Sequence, residues 1–139
     1  MSEIVVGYDG TSCGNAALDE ALALAAALDD HVTVVFGYAP PGIWGGEIAD
    51  HEQAIEELGE RVTADARHRA EAHGAEIDVE LVPKLATEAL IAAADEHDAR
   101  MIVVGGGGEG ALKGFILGST PHKLLHLAQR PVLVVHADG

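Results

Sequence analysis

The residues best equipped for chemistry lie between positions 101 and 120. An apolar run from Met101 to Val104 stops in four consecutive glycines, Gly105 to Gly108, and Gly118, Ser119 and Thr120 follow further on. A buried strand that ends in glycines presents bare backbone N–H groups, and hydroxyls at a helix start add donors. The pattern therefore points to an anion site, with phosphate as the expected guest.

Three phosphate motifs compete for these residues, and spacing separates them. A Walker A loop needs Gly-Lys-Ser/Thr, but Lys113 stands between Leu112 and Gly114. A dinucleotide fingerprint is formally present at Gly105, Gly107 and Gly110. It belongs, however, in a first strand-helix unit with an acid about 20 residues on, and here that region holds Arg130 and Pro131. What remains is Gly105-x-x-Gly108, nine residues, then Gly118-Ser119.

Other chemistry-bearing residues read more plainly. Eight histidines include His68 and His73, five apart, and His122 and His126 at i, i+4. Neither pair has a cysteine nearby or the pattern His-Glu-x-x-His, so both read as surface histidines, and no metal site is expected from the protein alone. Cys13 is the single cysteine, without a disulfide partner or a His or acid tied to it by a pattern, and it reads as a small packed residue. Trp44, in a Pro- and Gly-rich loop from Ala39 to Gly46, is free to stack on a base, cover the site or meet a partner.

These residues need elements to position them. Ile4 to Tyr8 is a β-rich run ending in Asp9-Gly10-Thr11-Ser12, a turn cluster that can also cap a helix, and Asn15 to Leu28 has helical spacing, closed by Asp29 and Asp30. A second strand runs from His31 to Tyr38. Ile48 to Ala72 is an amphipathic helix with Gly74 at its end, and Ile77, Val79 and Leu81 alternate with acids as an edge strand. Thr87 is expected to cap a helix through about Glu96, the fourth strand enters the glycines, Pro121 to Ala128 is helical, and Pro131 to His136 closes as a strand.

Strict alternation of this kind predicts an α/β fold: a five-stranded parallel sheet with helices on both faces, doubly wound and Rossmann-like, in a single domain over 1–139. Ligands of such sheets bind at the carboxyl ends of strands where the strand order reverses. Asp9 follows the first strand and the glycines follow the fourth, so the two should meet there. Asp9 would otherwise serve as a turn or capping residue.

Composition narrows the function. With 8 Lys plus Arg against 23 Asp plus Glu, the formal charge is −15, which repels nucleic acids and anionic membranes. No apolar run approaches a membrane span and Met1-Ser2-Glu3-Ile4 has no basic leader, so a cytoplasmic protein with no membrane partner is expected.

The opening Ile4-Val5-Val6-Gly7-Tyr8-Asp9-Gly10-Thr11, the fourth-strand Ile102 to Gly105, Gly114 to Ser119, the glycine spacing and the closing Arg130 to Val135 together resemble the universal stress protein family. The resemblance covers nearly the whole chain and implies ATP or another adenine nucleotide as ligand, with Mg²⁺ as an optional counter-ion. By it, Asp9 would accept hydrogen bonds from ribose or adenine, and the backbones of Tyr8 and Gly37 would flank the base. Val104 and Gly105 would lie against ribose and phosphates, and Gly108, Gly118, Ser119 and Thr120 would donate to the phosphates. The resemblance also implies a stress-response sensor or regulator with at most slow hydrolysis, and a homodimer through residues 132–136. The alternative within the family is an interaction module that binds no nucleotide. Two departures bear on that choice: Pro121 removes an N–H donor, and Glu109 adds negative charge, which Lys113 or Mg²⁺ would offset.

Overall fold

The computed structural model describes residues 1–38, 48–106 and 119–137. Strands and helices alternate through them: β1 (Glu3–Gly7), α1 (Ser12–Leu28), β2 (His31–Gly37), α2 (Ile48–Ala72), β3 (Ile77–Val82), α3 (Ala86–His97), β4 (Met101–Gly105), α4 (Ser119–Leu127) and β5 (Val132–Val135). All neighbouring strands are parallel, in the order β3-β2-β1-β4-β5. This is the five-stranded doubly wound sheet expected from the sequence. β3 and β5 form its edges.

The two central strands are continuous apolar runs because both of their faces are covered. Ile4, Val5, Val6 and Val103 are fully buried. Alternation divides them: Ile4, Val6 and Val103 join Leu18, Ala21 and Leu22 of α1 and Val62 and Ala66 of α2 in one core layer. Val5, Ile102 and Val104 join Ala89, Leu90 and Ala93 of α3 and Leu124 of α4 in the other. The register Ile4↔Met101, Val5↔Ile102, Val6↔Val103 brings β1 and β4 out of the sheet side by side.

Of the cap signals in the sequence, the turn cluster before α1 serves as one and Thr87 does not. α1 starts at Ser12, ahead of the expected Asn15, because Thr11 caps it: its Oγ1 accepts from the Gly14 N–H at 3.2 Å. α3 is not capped by Thr87. Leu85 has the extended backbone of a cap (φ −62, ψ 156) but gives no side-chain bond, while Thr87 lies inside the first turn and is buried. α4 begins at Ser119, so Pro121 falls in its first turn, where a proline is tolerated. Among the described residues no helix is long and apolar enough to cross a membrane.

Arg100, in the loop before β4, forks the carboxylate of Asp30, with Nε to Oδ2 at 2.6 Å and Nη2 to Oδ1 at 3.2 Å. The Asp30 side chain is 1% exposed and that of Arg100 43%. The Arg100 hydrogen bonds chiefly, helped by the Ser2 N–H and the amino terminus, hold the Asp30 carboxyl below its ordinary range against the opposing effect of burial.

Candidate functional site

Strand order reverses between β1 and β4, since the chain winds one way through β2 and β3 and the other way through β5. The carboxyl ends of β1, β2 and β4 and the first turns of α1, α3 and α4 surround a cleft of about 200 Å³ there. Three helix N-termini therefore point toward one space, each with unpaired N–H groups and the positive end of a peptide dipole. Such a space favours an anion.

Asp9 stands at the rim on the loop from β1 to α1. Its Oδ1 accepts from the Thr11 N–H at 3.0 Å and from the Thr11 hydroxyl at 2.6 Å, so it orients the hydroxyl that caps α1. Its Oδ2 has no partner among the described residues and is the acceptor left for a ligand. The support of the α1 cap thus occupies one oxygen of the carboxylate, Oδ1.

Tyr8 follows β1 into the core, 4% exposed, and its hydroxyl donates to Asn15 Oδ1 at 2.6 Å. Burial first, then the charge of Asp65, pushes its phenol above the ordinary range. Its N–H bonds the Val35 carbonyl at 3.1 Å, which ties the exit of β1 to β2. The ring is thus structural, and backbone is what Tyr8 offers the cleft.

Close approach explains two glycines. A Cβ on Gly105 would lie 2.7 Å from Cys13 Cβ and 2.8 Å and 2.9 Å from the Cys13 carbonyl carbon and oxygen. The obstacle is largely backbone, so no rotamer change relieves it. At Gly37 a Cβ would come within 2.7 Å of the Lys84 carbonyl oxygen. In both places bare backbone lets helix or loop close on the strand end and leaves the cleft open beside it.

Of the residues expected at the site, Tyr8, Asp9, Gly37, Val104, Gly105 and Thr120 line this one cleft. Ser119 opens α4 next to Thr120. Gly108 and Gly118 lie outside the described residues, as do Glu109, Lys113 and Trp44. The cleft also has walls that sequence reading missed: Thr11, Cys13, Gly14, Phe36, Ala86 and Leu90. Among the described lining residues there is no Lys, Arg or His, and Pro121, buried at the α4 end, has no N–H to give. The arrangement can hold an anion at the helix ends. Among its described residues it has no group free to act as a general base except Asp9.

The expected histidine pairs behave as surface groups. His122 and His126 meet edge to face with ring centroids 5.0 Å apart, and both are exposed. His73 Nε2 lies 3.5 Å from Asp19 Oδ1, and His68 is exposed.

Residues 1–136 match the sequence model of the Universal stress protein family. The chain belongs to the universal stress protein family. A universal stress protein of Mycobacterium tuberculosis is 30% identical over 143 residues, covering 96% of this chain and 94% of its own length. One from Mycolicibacterium smegmatis is 34% identical over 146 residues, but this chain spans only about half of it, 48%. Among solved structures, a universal stress protein in complex with cAMP superposes with a TM-score of 0.75 at 28% identity, over 99% of this chain and 98% of that one. Universal stress protein membership and the doubly wound fold thus agree.

Proposed function

We propose that this universal stress protein binds an adenine nucleotide in the cleft between β1 and β4 and acts as a cytoplasmic stress-response sensor or regulator, with at most slow hydrolysis. The observation that carries the reading is the cleft itself. It lies at the switch point, lined by Asp9 and Gly105 and by the first turns of three helices. The relative solved with cAMP supports the choice of an adenine nucleotide. In this reading Asp9 accepts from ribose or adenine, and the backbones of Tyr8 and Gly37 flank the base. Val104 and Gly105 lie against ribose and phosphates, and Gly108, Gly118, Ser119 and Thr120 donate to phosphate. ATP would bring a charge that Lys113 or Mg²⁺ must balance, whereas a monophosphate or cyclic nucleotide needs less compensation.

Calorimetric titration with cAMP, AMP, and ATP with and without Mg²⁺ tests the reading. At least one of them should bind, and Gly105→Val and Gly118→Val should abolish the heat. No binding by the wild type, or undiminished binding by both variants, overturns it. A second reading, a dimeric interaction module without nucleotide, draws on the lack of Lys and Arg among the described lining residues and on Pro121. In either reading we propose a homodimer through β5. Val132–Val135 is a half-buried sheet edge, and Leu125 and Leu127 of the adjoining α4 are 53% and 61% exposed.

A further inference from the structure

Behind the cleft, the face of the sheet beneath α3 carries acids where its other positions carry apolar residues. Glu3 of β1 pairs in register with His31 of β2, Thr33 of β2 with Asp78 of β3, and Glu80 follows two residues on, over the same face. Thr33 is fully buried and donates its hydroxyl to Glu3. His31 Nε2 sits 3.0 Å from Asp78 Oδ2 and 3.8 Å from Glu3 Oε1. The end of α3 brings Glu96 and His97 over this strip.

There three ligand atoms converge. His97 Nε2 is 2.8 Å from Glu80 Oε1, and one ligand atom each of Glu80, Glu96 and His97 lies within 4.8 Å of the other two. Glu80 and His97 are 28% and 29% exposed, held on packed elements yet reachable from solvent. Among the described residues the basic side chains paired with Glu3, Asp78 and Glu80 are the imidazoles of His31 and His97 alone. Arg69, Arg100 and Arg130 are engaged by Asp19, Asp30, Asp95 and Asp98. One imidazole does not balance two convergent carboxylates with Glu3 behind them. The last carbonyls of α3 add the negative end of its dipole at the same spot.

We propose that Glu80, Glu96 and His97 form a binding site for one divalent transition-metal ion of the Zn²⁺, Mn²⁺ or Co²⁺ class. One imidazole nitrogen with two carboxylates is a ligand set that such ions accept, water completing the sphere, whereas Mg²⁺ and Ca²⁺ prefer oxygen alone. At metal–ligand lengths of about 2.1 Å, tetrahedral ligand atoms stand roughly 3.4 Å apart. The His97–Glu80 contact would open by about half an ångström, and Glu96, on the exposed side, would close in. α3 runs from Ala86 at the cleft to His97 at this site, roughly 16 Å at 1.5 Å per residue, while Glu80 pairs in register with Val35 of the cleft wall.

The test uses the full chain after chelator treatment, titrated calorimetrically with Zn²⁺ and with Mn²⁺. One equivalent should bind, and His97→Gln, Glu80→Gln and Glu96→Gln should each weaken it by at least about ten-fold. The glutamine at 97 can still hydrogen-bond Glu80, and Glu96 is exposed, so these variants keep the fold, which circular dichroism checks. The double variant His122→Ala/His126→Ala should bind as the wild type does. Absence of binding by the wild type with both ions, unchanged affinity in His97→Gln and Glu96→Gln, or loss confined to the α4 double variant would overturn the proposal.

Discussion

Asp30 is the residue where position and charge most clearly oppose each other. Its carboxylate is almost wholly covered, a place that disfavours charge, yet the fork from Arg100 lowers its pKa. A carboxyl depressed in the folded state stabilises the fold at pH above its ordinary value and loses that contribution as pH falls through the folded value. Arg100→Ala should therefore lower the melting temperature at pH 6, and the gap from the wild type should close as pH drops below the ordinary carboxylate value of 3.8. Melting curves across that range check it, and a gap independent of pH would refute the electrostatic account. At Asp9 the residue scale gives a different lesson, since Oδ1 is taken up by Thr11 and Oδ2 has no partner among the described residues. A reading of residue types alone sees one acid in a turn.

At the scale of elements, α4 places the sharpest contrast in adjacent positions. Leu124 is fully buried against α3 and the sheet, and Leu125 is 53% exposed. Leu124→Ala should cost about 2–5 kcal/mol, the range for deleting a packed leucine side chain, while Leu125→Ala should stay within about 0.5 kcal/mol in the monomer. Urea unfolding of both variants reads the difference. This is also where legibility divides. Asp9, Gly105 and Thr120 could be found in the sequence because glycine runs, hydroxyls and strand exits carry their own signal. Cys13, Ala86 and Leu90 carry none: they reach the cleft only because α1 and α3 pack at particular depths on the sheet. Thr87 misled for a related reason, since a threonine near a helix start resembles a cap whether it precedes the helix or lies inside it. Glu80 and His97 are 17 residues apart, and no motif spans them; only the passage of α3 back across β3 joins them.

For the whole molecule, β5 is the edge on which assembly is proposed to rest. Sedimentation velocity should show a dimer for the wild type, and monomer for Val134→Lys and for Leu127→Asp, whose exposed side chain leaves the core intact. A wild-type monomer, or dimers in both variants, would rule that edge out. The doubly wound fold was legible as a whole because five apolar runs alternating with helical spacing leave few ways to cover both faces of a sheet. Strand order needed the handedness of the crossovers, and residues 107–118 lie outside the described residues.

The position of β1 also bears on how the chain is made. It is the middle strand, yet it occupies residues 3–7, and its partner on one side, β4, begins at residue 101. During synthesis β1, β2 and β3 can pair as soon as residue 82 has emerged, but one edge of β1 then waits, apolar and unpaired, for nearly twenty residues more. An open hydrophobic edge is a template for pairing with another chain. The nascent protein is therefore most exposed to aggregation in the interval before β4 leaves the ribosome, and truncations between β3 and β4 should be insoluble where the full chain is not.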